Sequence, residues 1–193
     1  LGAIAIFFYV GVEVGIPNMA NIYMSNLEWV GPAVAGIVIG IYWFLMMCGR
    51  LIGGLVGARV SSKVMVTSVS ILAIVFVFCI MFIPETVRFT IPFAGKEIPL
   101  SMVFCALCGL CTSVMWGGIF NLSTEGLGKY TALASGIFMT LVCGGGIIPA
   151  IQGYVAGQIG YILSYIVTLV GLLYILYYAL MGSKNVNTDI KVD

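Results

Sequence analysis

One carboxylate stands out by its place in the sequence. Glu13 is the only acid well inside a long apolar stretch, twelve residues from its start. At 1.5 Å per residue that is about 18 Å along a helix, near mid-depth of a bilayer. A charge there costs about 2.5 to 3.5 kcal/mol, so it is expected to face a cavity or a partner. Pro17, four residues on, lacks an amide hydrogen and is expected to kink or unwind the helix. Asn18 and Asn21 follow. On a helical wheel Glu13, Pro17 and Asn21 share a sector of about 80°. An acid and two amides on a kinked helix suit hydrogen bonding to a polyhydroxylated solute. The structural alternative is that they satisfy freed carbonyls or a neighbouring helix. Trp43 and Trp116, with Tyr42, offer aromatic faces for the C–H faces of such a solute, or else fill the bundle or mark its interfaces. Asn121 and Gln152 are further polar candidates, both read as lying near helix ends. Arg50 is expected to snorkel toward the nearer surface, with a gating ion pair as the alternative.

Other chemistry is excluded by type or spacing. There is no His, which removes His-based triads, haem ligation by His and most zinc enzymes. Cys105, Cys108 and Cys111 have the spacing of an iron–sulfur run but lie in an apolar stretch without the fourth Cys. They read as small buried hydrophobes, and no metal is expected. Gly144-Gly145-Gly146 is not followed by the Lys-Ser/Thr of a phosphate loop and, with Pro149, reads as a flexible part of a helix. No apolar stretch holds Asp, so a paired-Asp intramembrane protease is excluded too; the chain is not expected to be an enzyme.

The elements that must position these residues follow from composition. Hydrophobic residues make up 62% of the 193 positions and charged ones 8%, against about 25% charged in soluble domains. A formal net charge of +1 without a basic cluster gives nucleic acid nothing to bind. Six stretches approach the roughly 20 apolar residues that a spanning helix needs: 2–24, 33–57, 64–83, 99–122, 131–157 and 161–181. Beta-barrel alternation is missing. The expectation is an all-α, polytopic membrane protein: a six-helix bundle over 1–183 in a lipid bilayer, with a tail at 184–193. Counting bases alone, Arg59, Lys63, Lys129, Lys184 and Lys191 fall on one side and Arg88 and Lys96 on the other. The richer side is cytoplasmic, and both chain ends lie there. Gly11 and Gly15, then Gly36 and Gly40, then Gly49, Gly53 and Gly57, recur four apart and predict close helix packing. No pair of interrupted hydrophobic stretches is visible, which argues against a channel filter. The chain opens inside an apolar run with no basic leader, as a fragment of a longer protein would.

The run Asn121-Leu-Ser-Thr-Glu-Gly-Leu-Gly-Lys-Tyr-Thr131, then Ser135-Gly136, Gly144-Gly-Gly-Ile-Ile-Pro149 and Gln152-Gly-Tyr154, resembles the last spans of the fucose–proton symporter family. That branch of the major facilitator superfamily includes fucose permeases and bacterial glucose/galactose transporters. Phe8 to Glu13 resembles its seventh span, and Gly49-Arg-Leu-Ile-Gly53 with Arg59 and Lys63 its eighth and the following loop. The stretch 84–98 departs from the short connection expected. The resemblance implies spans seven to twelve of a sugar–proton symporter in the bacterial inner membrane. The partners implied are a monosaccharide (a hexose such as glucose, galactose or fucose) and the missing N-terminal six-span half. The coupling ion is a proton, with no other cofactor, and the halves rock to expose a mid-membrane site alternately. Glu13, Asn18, Asn21, Trp43 and Trp116 would face that cavity. The same fold carrying a drug or nucleoside, or a stand-alone six-span channel, are the competing readings.

Overall fold

The computed structural model describes residues 1–92 and 94–184, so the expected tail beyond Lys184, with Lys191, lies outside the described residues. Three spans are single helices: α1 (Gly2–Ser25), α2 (Gly31–Gly57) and α3 (Ser62–Phe82). The fourth is split into α4 (Ser101–Thr112) and α5 (Met115–Thr124). The fifth, entered through a 3-10 turn at Gly128–Tyr130, is split into α6 (Thr131–Leu141) and α7 (Gly144–Ile159). The last, α8 (Tyr165–Tyr177), ends in a π turn at Tyr178–Gly182. Among the described residues, six helical runs are long and apolar enough to cross a membrane. The all-α six-span bundle is therefore what the apolar stretches foretold, with ends shifted by up to four residues.

The second split lies beside Gly144-Gly145-Gly146, read from sequence as a flexible part of its helix, whereas the first corrects the expectation of an uninterrupted fourth span. Both follow side-chain hydroxyls that reach back to a carbonyl three residues earlier. Ser113 donates to Leu110 O at 2.6 Å, and Thr140 to Ile137 O at 2.7 Å. Such back-bonding competes with the helical ladder and bends it. The second break is then carried by three-residue bonds, Gly145 N to Val142 O at 2.9 Å and Gly146 N to Cys143 O at 3.0 Å. Ser113, Val114, Val142 and Cys143 all keep right-handed helical dihedrals, so the breaks are tightened turns and not loops.

Helix α1 is the hub, packed against α2, α4, α5, α6, α7 and α8. Glycines permit the closest approaches, but not all those in the stripes do so. A Cβ on Gly144 would overlap the Phe7 backbone, one on Gly11 the Ile148 side chain, and one on Gly109 the Tyr42 carbonyl. Gly49 and Gly53 seat α2 on Ser113 and Val114, at the break in the fourth span. Gly36 and Gly40 meet nothing within 4 Å and stand on an open face.

The stretch 84–98, unassigned from sequence, contains a two-stranded antiparallel hairpin, β1 (Arg88–Ile91) and β2 (Lys96–Pro99), with Arg88 opposite Pro99. Gly95, at φ +59°, makes its turn. Ile91 and Ile98 are buried. The approach to the hairpin is tied to the bundle by Glu85, which accepts from Tyr23 Oη at 3.0 Å and Trp29 Nε1 at 3.3 Å. Arg88 covers the Trp29 ring at 4.4 Å and pairs with Glu97 at 2.9 Å. Glu85→Ala removes the acceptor of two donors, each bond worth about 1 kcal/mol where water can partly substitute. The melting temperature of the purified protein is expected to fall by about 2–4 °C. An unchanged value would mean that water serves Tyr23 and Trp29 equally well.

Candidate functional site

The depth of each helix residue brings Glu13 and Arg50 together. Helices α1 and α2 are consecutive and antiparallel. Glu13 stands eleven residues above the start of α1, and Arg50 seven residues before the end of α2. The two Cα levels therefore differ by only about 6 Å, within the reach of an arginine. Arg50 Nη2 meets Glu13 Oε1 at 2.9 Å, the Glu13 side chain being 13% exposed and that of Arg50 56%. Arg50 also lies 3.4 Å from Met46 Sδ. Of the two readings of Arg50, snorkelling and an ion pair, the structure shows the ion pair, with Glu13 as its partner. Counting levels along the two antiparallel helices was the signal that could have found this pair.

The pair lies in the wall of an open groove of about 620 Å³. Tyr9, one turn before Glu13, lines it, and its ring sits 5.9 Å from that of Trp116. The Tyr9 hydroxyl is buried beside the Glu13 carboxylate and Arg50. Gly53, Gly54 and Gly57 of α2 and Gly117 and Gly118 of α5 also line the groove. Ser62, Ser113 and Asn121 add polar edges. The groove therefore offers an ion pair, an aromatic face, hydroxyls and an amide along a backbone-lined trough, which suits a neutral solute rich in hydroxyls. Tyr9 and Ser113 were not singled out from sequence, although Tyr9 shares a helix face with Glu13 four residues later.

Of the residues chosen from sequence, Glu13, Trp116 and Asn121 line this groove. Asn18 and Asn21 are exposed on α1, outside the residues that line it. Pro17 is buried while α1 continues through it, so of the expected kink or unwinding the helix does not unwind. Trp43, 44% exposed, also lies outside the groove. It shares a stripe of α2 with Gly36, Gly40, Met47 and Arg50, all within about 80° on the helical wheel. Gln152 is corrected most. It is mid-helix in α7, fully buried, and neither amide atom has a partner among the described residues. A Cβ on Gly15 would lie 2.7 Å from its Oε1, so the glycine makes room for this amide against α1. Buried there, Gln152 does not line the groove.

Arg59, Lys63, Lys129 and Lys184 gather at one end of the bundle and Arg88 and Lys96 at the other, as the alternation of spans requires. Lys63 and Lys184 share a second groove with Asn121 and Glu125.

Among curated proteins, a glucose/galactose transporter of Brucella abortus biovar 1 (strain 9-941) is 31% identical over 192 residues, covering 96% of this chain and 42% of the relative. A putative glucose/galactose transporter of Helicobacter pylori (strain ATCC 700392 / 26695) is 30% identical over 188 residues, covering 95% of this chain and 43% of the relative. No protein-family profile matches the chain, and no solved structure does. The chain spans less than half the length of the curated relatives it matches. Nearly all of this six-span bundle is therefore similar to a stretch that makes up less than half of each of these glucose/galactose transporters.

Proposed function

We propose that the chain forms the last six spans of a twelve-span sugar–proton symporter of the major facilitator superfamily. The groove holding Glu13 and Arg50 is one wall of its hexose site, and the other six spans supply the second wall. The observation that carries this reading is the Glu13–Arg50 pair set beside Trp116 in an open groove. Its volume, about 620 Å³, lies within the roughly 300–1,000 Å³ of small-molecule sites. The names of the relatives support a monosaccharide, and the share of their length covered supports a missing half. Glu13 binds sugar hydroxyls or shares the coupling proton with the other half; Asn18, Asn21 and Trp43, on the open side of α1 and α2, face that half. No metal or organic cofactor is needed, the proton being the coupling ion. The end carrying Arg59, Lys63, Lys129 and Lys184 is cytoplasmic, in the inner membrane. Alternating access by rocking halves moves the site between the two sides.

The test is uptake by the full-length transporter in liposomes. With the outside acidified, labelled glucose or galactose is expected to accumulate above its external concentration. Equilibration without accumulation would overturn the proton coupling, and no sugar movement in either direction would overturn the sugar reading.

A further inference from the structure

The groove uses the carboxylate of Glu13, but its carbonyl is equally unusual. Residue 17 would normally donate to that carbonyl, and Pro17 has no hydrogen to give. In a bilayer an orphan carbonyl is too costly to leave. The missing donor comes from another helix. Tyr42 of α2, fully buried, donates its hydroxyl to Glu13 O at 2.9 Å. The Tyr42 hydroxyl oxygen also lies 3.2 Å from Thr112 Oγ1, whose own hydrogen is within reach of Cys108 O at 3.1 Å. Close by, Tyr165 of α8, also fully buried, donates to Ile16 O at 2.9 Å. Two tyrosines on different helices thus brace the turn that Pro17 weakens. Tyr42 has little freedom to move, because Gly109 of α4 packs directly on its backbone carbonyl. Helix α2 therefore holds Glu13 twice, by Tyr42 at the backbone and by Arg50, two turns later, at the carboxylate.

We infer that Tyr42 is a positioning residue for Glu13. It replaces the donor that Pro17 removes and so sets the height and direction from which the carboxylate meets Arg50 and the solute. The inference rests on reading the groove as the sugar site. The charged and titratable groups acting on the Glu13 side chain are Arg50 from α2 and Tyr9 from α1. Tyr42 meets it from the carbonyl side, with Cys105 and Cys108 of α4 and Tyr165 of α8 behind. From α4 and α5 the groove receives the uncharged Ser113, Trp116 and Asn121.

The logic yields a rescue experiment, because P17A restores an amide that can serve Glu13 O without Tyr42. Binding of labelled galactose to the purified full-length transporter is measured across pH for wild type, Y42F, P17A, Y42F/P17A and E13Q. Y42F is expected to weaken binding about tenfold, the loss typical of a buried acceptor stripped of its donor, and to move the pH profile. Y42F/P17A is expected to regain both, with affinity within about twofold of P17A. If Y42F does not fold, near-equal affinities of P17A and Y42F/P17A support the brace and a tenfold gap overturns it. Wild-type affinity and pH profile in Y42F, with E13Q altered, would also overturn it. E13Q without effect would sink the sugar-site reading of Glu13 instead.

Discussion

Replacing Arg50 by Gln is expected to lower sugar uptake by the full-length transporter at least tenfold. Replacing Glu13 by Gln in the same protein should recover part of that loss. The asymmetry of exposure is the reason. Glu13 is 13% exposed and Arg50 56%, so removing the cation strands a carboxylate that water reaches poorly. Breaking a fully buried pair costs about 3–5 kcal/mol. The half-open arginine places this pair lower, at about 1.4–2.8 kcal/mol, or roughly tenfold to a hundredfold in any step that needs the groove in its native form. The double substitution leaves two neutral amides that can still hydrogen-bond, so no charge is stranded. Initial uptake rates for wild type, both single variants and the double variant measure this directly. A double variant no better than Arg50→Gln would show that each side chain acts independently, and the pair would lose its role.

The largest structural effect is expected at Gly144. An Ala there gains helix propensity of about 1 kcal/mol over Gly. Its methyl would nevertheless fall on the Phe7 backbone, whose carbonyl carbon lies 2.8 Å and Cα 3.0 Å from the ideal Cβ position. Backbone cannot rotate aside as a side chain does, so α1 and α7 must separate, and overpacking of this kind costs about 1–3 kcal/mol or more. Because α1 touches most of the other helices, the strain does not stay local. Gly144→Ala is expected to lower the yield of monodisperse full-length protein severalfold and its melting temperature by at least about 4 °C. Gly153→Ala on the same helix is the control: nothing lies within 4 Å of that Cβ, and it should match wild type or exceed it. Equal behaviour of the two variants would mean that α7 is not seated on α1 through Gly144.

Particular residues show where sequence reasoning succeeds. The spans were legible because lipid demands unbroken apolar length, and that demand is written locally in each stretch. Glu13 was legible as a site residue for the same reason, a charge at mid-depth being costly wherever its neighbours lie. Pro17 announced a freed carbonyl but not its donor. Tyr42, twenty-five residues away on another helix, supplies it, and α1 stays continuous through Pro17. The break in the fourth span, at Ser113–Val114, has no Pro to announce it. It arises from serine back-bonding to Leu110, which depends on a rotamer and not on composition. Glycine stripes were legible as packing faces, yet Gly49 is packed and Gly36 is open, because spacing along a helix says nothing of what stands opposite.

By itself, then, the sequence determined that this is a bundle of six apolar helices, which side chains could not rest in lipid, and which proteins it resembles. All three depend on residue type and local order alone. The tertiary structure decided that Arg50 turns inward to Glu13, that Gln152 is shut away against Gly15, and that Asn18, Asn21 and Trp43 stand outside the groove. Each of these follows from the relative height and rotation of helices far apart in the chain. Those two quantities are set by backbone contacts at a few glycines and hydroxyls, and no single segment encodes them.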